Sequence, residues 1–439
     1  MSRRSLIVPL MLALLAPNRS SGADAPSVDD WLEESRQSLL GLYTELHEHP
    51  ELSFQEFKTS ERMADELRKV GAEVTTKVGK LGVVGVLKNG TGPTVMLRTD
   101  MDALPVTEET GLPYASQAKG VDPQGREVGV MHACGHDLHM TSFVGTARWL
   151  AEHKDRWSGT VVFIAQPAEE TIGGAREMLD DGLYSRFPKP DFALALHCRA
   201  DGEAGEVYIH PGPLLANSTA LDVVIRGRGG HGAMPQTAID PVVLSALAIL
   251  DFQTIVSREI LPSEPAVLTV GSIHGGTKHN IIPNEVKLQL TLRAFSDSVR
   301  LQLIEGIERR VNALAAAHKA PAPSVEIREH TPATINDPEL TARVEPLLKK
   351  ALGDDRVFDV EPVMGSEDFA LYARDGVRTL MLWIGTISPE RIKQAEAAGE
   401  PLPGLHSSLY HPDPIPSFST GIRAMTAAVT GLLPPNSDR

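Results

Sequence analysis

The fold class is decided by the stretch Val161-Val162-Phe163-Ile164-Ala165-Gln166-Pro167-Ala168-Glu169-Glu170, in which a continuous apolar run leads into a turn and two acids. An apolar run without polar alternation predicts a strand that is buried on both faces, as the strands of parallel sheets are. Further runs of this kind lie at residues 94–97, 192–196 and 380–384, interspersed with helical patterns such as residues 28–49 and 140–153. The alternation predicts an α/β fold.

Acidic and imidazole side chains follow three of these runs. Ligand sites in open α/β sheets lie beyond the carboxyl ends of the strands. We therefore expect one site to contain the residues Asp100, Asp102, Glu169, Glu170 and His197. Side chains of adjacent residues diverge, so one glutamate of the Glu169-Glu170 pair can bind a metal while the other stays free as a base. The alternative for such a pair is ordinary solvated charge.

The strongest chemical signal is the block His132-Ala133-Cys134-Gly135-His136-Asp137-Leu138-His139. It packs several imidazoles, a thiol and a carboxylate into one short stretch at the start of a helical pattern. Thiolate and imidazole groups suit Zn, Co, Ni or Mn sites. The alternative is a buried cysteine beside histidines that cap a helix. We interpret the block as part of a metal site.

Residues 217–329 follow a different pattern. Residues 286–293 alternate apolar and polar side chains, as a strand of a one-faced antiparallel sheet does, and residues 221–226 form a second such strand. Two helices are predicted at residues 242–256 and 304–314, the first after the capping pair Asp240-Pro241. The pattern predicts a smaller α+β domain inserted between the two parts of a larger domain, residues 24–216 and 330–439.

Two features of the inserted domain bear on ligands. Residues 227–232 match the spacing G-x-G-x-x-G after a strand, but no helix opens at the last glycine, so we do not expect nucleotide binding. Asn280 and Arg293 are candidates for binding a substrate carboxylate, since an arginine can hold a carboxylate with two hydrogen bonds. For Arg293 the alternative is an outward-facing strand residue in a salt bridge.

The composition is that of a globular protein with a large core. The net charge of -15 over 439 residues argues against a broad surface that binds nucleic-acid phosphates. The chain has only 2 cysteines, Cys134 and Cys198, which leave no disulfide framework, so the fold must depend on its core.

The N-terminal segment has the pattern of a signal peptide. Arg3 and Arg4 precede the apolar residues 5–16, which are too few to span a membrane, and the small residues Ser21-Gly22-Ala23 follow. We predict a signal peptide over residues 1–23 and an exported mature chain, periplasmic or secreted, without membrane association. The alternative is an uncleaved anchor.

Seven blocks carry a resemblance to a known family. They are HPELS (49–53), RTDMDALP (98–105), the His132 to His139 block, QPAEE (166–170), GGT (275–277), NIIP (280–283) and GSEDF (365–369). In this order they resemble the M20 metallopeptidases, and within them the aminoacylase-like amidohydrolases that include hippurate hydrolase and auxin-conjugate hydrolases. The resemblance covers nearly the whole mature chain. It implies a mixed-sheet catalytic domain with an inserted dimerisation domain.

The resemblance also implies a site with two divalent metal ions, which would be Zn, Mn, Co or Ni. Glu169 is the implied general base. The implied metal ligands are Cys134, His136, Glu170, His197 and His406, with Cys134 as the bridging ligand.

The sequence departs from the wider family at one ligand position. Asp100 stands where that family has a ligating histidine, and Asp102 keeps the second acidic place. We therefore expect both residues to orient the ligands rather than to bind metal. The same orienting role is expected for Asp137 and His139.

The resemblance implies that His231 stabilises the oxyanion and that it reaches the site from the partner subunit of a homodimer. The predicted function is hydrolysis of the amide bond of N-acyl amino acids. Rival interpretations are a carboxypeptidase or dipeptidase on the same scaffold, and a binding protein that has lost catalysis. All six positions of the ligand set and the base are present, which disfavours the binding protein.

Overall fold

The computed structural model describes residues 27–435. The predicted signal peptide, residues 1–23, lies outside the described residues. The first helix, Val28–Glu48, begins in a capping box in which Ser27 and Asp30 satisfy each other's backbone N–H groups.

A mixed sheet of eight strands forms the centre of the larger domain. Its four middle strands are mutually parallel and contain the four apolar runs, which confirms the α/β prediction. One edge of the sheet continues with antiparallel strands. In sheet order the strands are Glu73–Val78, Gly82–Asn89, Gly159–Gln166, Thr94–Asp100, Phe192–Glu203, Arg378–Ile387, Val207–Tyr208 and Val357–Phe358.

Helices cover the sheet on both faces, so each face has its own apolar core. Phe163 and Leu194 point into one core, while their strand neighbours Val162 and Ala193 point into the other, as the two-residue period of a strand requires. The α-helices of this domain are Val28–Glu48, Phe57–Lys69, His136–Glu152, Gly174–Asp180, Leu183–Arg186, Pro338–Leu352, Pro389–Ala398 and Pro414–Leu432.

One strand end differs from the prediction. The strand expected to stop at residue 196 runs from Phe192 to Glu203, so His197 lies inside the strand rather than after it. The extension is possible because the neighbouring strand, Arg378–Ile387, continues beside it and pairs His197 with Trp383. Polar residues in the extension end the apolar signal before the strand itself ends.

The inserted domain has a separate sheet of four antiparallel strands. Two helices, Pro241–Arg258 and Asp297–Ala317, pack on one face and enclose its own core. The predicted alternation is confirmed, since Val286, Leu288, Leu290 and Leu292 are all buried. In sheet order the strands are Ala266–Gly275, Glu285–Ala294, Asn217–Arg226 and Ser324–Thr331.

Three short two-stranded pairs complete the described strands. The first, Gly212–Leu215 with Thr334–Asn336, lies where the chain leaves and re-enters the larger domain. The second, Gly230–His231 with Ile281–Ile282, belongs to the inserted segment. The third is the hairpin Lys119–Val121 with Glu127–Gly129.

One described helix, Pro241–Arg258, is long and apolar enough to cross a membrane by length and composition alone. Apolar helices of soluble proteins pass the same test, and this one packs on the sheet of the inserted domain.

Candidate metal centre

The histidine-rich block forms the entry into the helix His136–Glu152. Gly135 precedes this helix with φ 79°, a left-handed conformation that favours glycine. A Cβ atom at this position would lie 2.7 Å from the Cys198 sulfur, so a larger residue does not fit. The turn therefore delivers Cys134 and His136 to the same buried region.

Hydrogen bonds fix which ring nitrogens of two histidines are free. Nδ1 of His136 lies 2.7 Å from the Asp102 carbonyl oxygen, and Nδ1 of His197 lies 2.9 Å from the Cys198 carbonyl oxygen. A carbonyl only accepts, so both Nδ1 atoms carry hydrogen, and in the neutral ring Nε2 is the nitrogen that can bind a metal ion. Nε2 of His136 is buried and without a hydrogen-bond partner. This is the arrangement of a metal-binding imidazole.

Cys134 belongs to two groups of side chains that could hold a metal ion. One group is Cys134, His136 and His197, and the other is Cys134, Glu170 and His406. In each group the ligand atoms lie within 4.8 Å of one another. The thiol therefore occupies the position shared by two adjacent sites. All five sequence-predicted ligands are brought together here.

Glu169 and Glu170 lie in the turn after the strand Gly159–Gln166. The turn is held from two sides, by Glu56, which accepts the Ala168 N–H at 2.7 Å, and by Asp102, which accepts the N–H groups of both glutamates at 3.1 and 3.0 Å. Carboxylate oxygens of both glutamates lie within 4.8 Å of each other and of His136, but the further partners of the two side chains differ. Glu170 reaches His406 and Cys134, whereas Glu169 also approaches Glu367 and Asp368.

The site carries an excess of negative groups. Burial, followed by the charges of Glu367 and Glu170, raises the pKa of Glu169 well above its usual value, and burial raises the pKa of Glu170 to about 7. Burial, followed by the charges of Glu170 and Glu169, raises the pKa of the Cys134 thiol. In each case burial is the largest cause, and for Glu170 the nearby His136 opposes the rise without cancelling it. Divalent cations would compensate the buried negative charge.

Asp100 and Asp102 both adopt orienting geometries. The Asp100 carboxylate accepts from His139 Nδ1 and from Arg98, each at 2.7 Å. Asp102 accepts from the Ser53 hydroxyl at 2.6 Å in addition to the two glutamate N–H groups. The oxygens of both carboxylates are thus occupied by donors, which supports the expectation that they position the ligands.

His139 orients rather than binds. Its Nδ1 faces Asp100, and its Nε2 accepts the backbone N–H of Cys198 at 2.8 Å. Both ring nitrogens are therefore used, although His139 also lies close enough to Asp100 and His136 to form a possible ligand group. Its bond to Cys198 steadies the strand that carries His197.

Asp137 differs from the expectation. Its carboxylate contacts His47 Nδ1 at 2.6 Å, and within residues 27–435 no hydrogen bond joins it to a predicted ligand. His47 also contacts Glu108 at 3.2 Å. Burial lowers the pKa of His47, but the bonds to Asp137 and Glu108 outweigh it and raise the pKa to about 10. Asp137 thus ties the first helix to the helix that begins at His136.

Sequence reasoning assigned no role to Arg98, which is fully buried. Its guanidinium donates to Asp100, to Glu367 at 2.8 Å and to Asp368 at 3.2 Å. One cation thereby joins the strand Thr94–Asp100 to the segment that contains GSEDF. Arg98 and the GSEDF residues both lie in the motif blocks, so the signal for their importance was present, but the spacing did not show that they meet.

The structure does not bring the inserted-domain residues into the ligand cluster. His231 is exposed, and its Nδ1 accepts the N–H of Ala233 at 3.0 Å. Asn280 lies beside it, since the Asn280 carbonyl accepts the Gly232 N–H at 2.9 Å. Within the described chain, no hydrogen bond or ion pair joins His231 or the Asn280 side chain to the cluster.

Arg293 does reach the larger domain. Its Nη1 donates to the Ser366 hydroxyl at 2.6 Å, next to Glu367. The salt bridge considered as an alternative is not found, because no carboxylate of the described residues lies in ion-pair contact with its guanidinium.

Fold and site together define a class: an α/β domain with an inserted α+β domain and a centre of cysteine, histidine and carboxylate side chains at the carboxyl edge of the sheet. The chain belongs to Peptidase family M20/M25/M40, whose profile matches residues 96–400. It is an enzyme of this hydrolase family.

Individual relatives agree with this assignment. The chain is 35% identical to thermostable carboxypeptidase 1 of Saccharolobus solfataricus, over 83% of this chain and 88% of the relative. It is 36% identical to hippurate hydrolase of Campylobacter jejuni, over 75% and 83% of the two chains. A solved structure of a dinuclear metal-binding peptidase of the M20 family from Bacillus subtilis superposes with a TM-score of 0.75 and 27% identity, covering 91% of this chain and 99% of that one.

Proposed function

We propose that this enzyme hydrolyses the amide bond of N-acyl amino acids at a centre of two divalent metal ions. The observation that carries the proposal is the position of Cys134 in two ligand groups, with the carboxylate of Glu169 beside them. The relatives support it, since one is a hippurate hydrolase and one solved neighbour is a dinuclear metal-binding peptidase.

The side chains fit two divalent ions. Nε2 of His136 and Oε1 of Glu170 are buried without a hydrogen-bond partner, and the Nε2 lone pair of His197 faces the Cys134 sulfur at 3.5 Å. The proposed ligands are Cys134, His136 and His197 for one ion, and Cys134, Glu170 and His406 for the other. Thiolate, imidazole and carboxylate ligands suit Zn, Mn, Co or Ni. Such a pair of ions activates a water molecule and polarises the scissile carbonyl.

The protein's own residues would complete the reaction. Glu169 takes the proton of the attacking water and delivers it to the leaving amide nitrogen, as a general acid–base residue does. Its backbone N–H is bound by Asp102, which holds the turn that carries the carboxylate. Arg293, which is half-buried and pairs only with a hydroxyl group among the described residues, is available for the substrate carboxylate. Asn280 and His231 belong to the same domain but make no hydrogen bond or ion pair to the cluster within the described chain.

A carboxypeptidase or dipeptidase activity is the second candidate, favoured by the 35% identity to a carboxypeptidase. The two activities differ in what occupies the acyl side of the scissile bond. We expect kcat/KM to be higher for N-acetyl and N-benzoyl amino acids than for dipeptides or blocked longer peptides. The reverse order would support the peptidase, and metal-loaded protein without turnover of any of them would support a binding protein.

We propose further that the enzyme is a homodimer through the inserted domain and that it is exported. An apolar surface on the helix Pro241–Arg258 supports the dimer, because Val242, Val243, Leu247 and Leu250 are exposed on it. Analytical ultracentrifugation tests the dimer, with a monomer at all concentrations as the contrary result. The N-terminal sequence of the secreted or periplasmic protein tests export, and we expect it to begin near Asp24.

A further inference from the structure

The two ligand groups that share Cys134 differ in how firmly the fold holds them. Cys134, His136 and His197 are all buried, and they belong to a helix entry and to the central sheet. In the other group the His406 side chain is 55% exposed, and residues 399–413, which carry it, connect two helices without regular structure. A metal ion bound by His406 therefore depends on the contacts that hold this connecting segment in place.

The backbone of His406 needs such contacts. It adopts φ 67°, a left-handed conformation that costs free energy in a residue other than glycine and persists only where the surroundings hold it. One holding contact is made by the His406 N–H, which donates to the Ala133 carbonyl oxygen at 2.8 Å. The segment is thus fastened to the residue that directly precedes Cys134.

A second fastening lies just beyond His406 in the same segment. The Glu109 N–H donates to the Ser408 carbonyl oxygen at 2.8 Å, and the Ser408 hydroxyl donates to the Glu109 carboxylate at 2.6 Å. The two residues thereby form a reciprocal pair, which we call the clasp. It ties the segment that carries His406 to a loop that precedes the histidine-rich block in the sequence.

The clasp is anchored in the core through the neighbouring residue, Glu108. The Glu108 side chain is buried, and its carboxylate lies 3.2 Å from His47 Nε2. The other ring nitrogen of His47 contacts Asp137, which directly follows the proposed ligand His136. A path of contacts therefore runs from His136 through His47 and the clasp to His406.

We propose that Glu109 and Ser408 are positioning residues that set the affinity of the ion held by Cys134, Glu170 and His406. The proposal rests on the ligand groups of the proposed function. Neither clasp residue belongs to a ligand group among the described residues, so the clasp acts only through the histidine it places. Loss of a contact that orients a ligand changes metal affinity by about 10- to 100-fold, and for an exposed pair we expect the lower end.

The test titrates the metal-free enzyme with Zn²⁺ in competition with a chromophoric chelator, and we expect two binding steps. His406→Ala identifies the step that uses His406, because the variant should lose that step. Glu109→Ala should weaken the same step about tenfold and leave the other step unchanged. Ser408→Ala removes one hydrogen bond of the clasp and should weaken the step about threefold.

Two further variants separate positioning from general damage to the fold. Glu109→Gln keeps a side-chain oxygen that can accept the Ser408 hydroxyl, so it should bind both ions nearly as tightly as the wild type. Glu127→Ala is the matched control, because Glu127 is a 68% exposed glutamate that pairs with Lys119 at 2.8 Å in a hairpin. It should change neither step.

The outcomes separate this proposal from the proposed function. Selective weakening of the His406 step in Glu109→Ala, with recovery in Glu109→Gln, would support the clasp. Two ions bound by the wild type, with both steps unchanged or both weakened alike in Glu109→Ala, would overturn the clasp and leave the two-metal centre intact. Fewer than two ions in the wild type, or both steps retained in His406→Ala, would overturn the ligand groups and the clasp with them.

Discussion

The backbone N–H of Glu170 donates a hydrogen bond to the carboxylate of Asp102 at 3.0 Å. The other oxygen of Asp102 accepts the N–H of Glu169 at 3.1 Å. One buried carboxylate thus fixes both the proposed base and a proposed ligand. Because an ionised carboxylate accepts at both oxygens, it suits two N–H donors, whereas an amide side chain does not.

Asp102→Asn should therefore impair catalysis and stability together. The new NH₂ group faces an N–H donor, so one hydrogen bond is lost and the glutamate turn loosens. We expect kcat to fall about 10- to 100-fold and the free energy of unfolding to fall by about 1–3 kcal/mol. Steady-state kinetics and thermal denaturation measure the two effects.

Asp122→Asn is the matched control for this prediction. Asp122 also accepts two backbone N–H groups, those of Gln124 and Arg126, each at 2.9 Å, but at a single oxygen and in a hairpin turn apart from the ligand cluster. The amide oxygen of asparagine can accept both, and only the bond from the Arg126 side chain to the other oxygen is lost. Asp122→Asn should therefore change stability little and leave kcat unchanged. An Asp102→Asn enzyme with wild-type kcat would contradict the positioning role.

Glu169→Gln should separate metal binding from catalysis. The amide cannot accept the proton of water, so kcat should fall by about 10² to 10⁴ while the metal content stays at two ions per chain. Elemental analysis of the purified variant measures the metal. Glu170→Gln, at the adjacent residue, should instead lower the metal content, because Glu170 is a proposed metal ligand. Activity retained in Glu169→Gln would refute its assignment as the base.

Cys134 and Cys198 offer a second paired comparison. Cys134→Ser removes the thiol shared by the two ligand groups, so we expect both metal ions to be bound less tightly. Cys198→Ser should keep both ions, because the Cys198 sulfur lies near the Gly135 carbonyl oxygen and belongs to neither group. A chelator should abolish activity, and Zn, Mn, Co or Ni should restore it. Equal metal content in the two variants would contradict the shared-ligand assignment.

The sequence predicted those parts of the fold that depend on local pattern. The run at residues 161–165 is buried on both faces, so its apolar pattern is continuous, and the alternation at 286–293 reflects a strand with one buried face. The strand through His197 was predicted too short because its outer half is polar and is held by pairing with a strand distant in the chain.

The site was predictable where its residues are close in sequence or lie in recognised motifs, as in the block around Cys134. It was not predictable where charges meet across the fold. Arg98 and Glu367 lie 269 positions apart, and no spacing rule connects them. Likewise, nothing in the sequence around Asp137 indicated that its carboxylate would pair with His47, on the first helix.

His231 tests whether the active site is shared between subunits. The residue is exposed and makes no hydrogen bond or ion pair to the ligand cluster within the described chain. If it acts on the partner's site, Glu169→Gln and His231→Ala subunits are each inactive alone. Subunit exchange should then create sites with both residues intact, at about a quarter to a half of wild-type activity. Mixing either variant with itself is the control, and no recovery in exchanged heterodimers would contradict action between subunits.

Glu66 provides a stability prediction away from the metal centre. Its carboxylate is buried on the helix Phe57–Lys69 and accepts hydrogen bonds from Lys69 at 2.8 Å, from Arg148 at 2.6 Å and from Arg62. Burial raises the pKa of Glu66, but these three cations outweigh it and lower the pKa to about 2. A carboxyl group with a lowered folded-state pKa stabilises the protein above its unfolded-state pKa and loses that contribution as the pH falls.

Glu66→Gln should therefore lower the melting temperature at pH 7, with a loss of about 1–3 kcal/mol in the free energy of unfolding. The difference from wild type should persist down to about pH 4.5 and then shrink toward pH 2, because in that window the unfolded chain binds a proton at Glu66 while the folded protein does not. Glu45→Gln is the control. Glu45 also binds Arg62, but its side chain is 49% exposed, so its loss should cost less than about 1 kcal/mol. A Glu66→Gln deficit that stays constant from pH 7 to pH 3 would show that packing, rather than charge, makes the contribution.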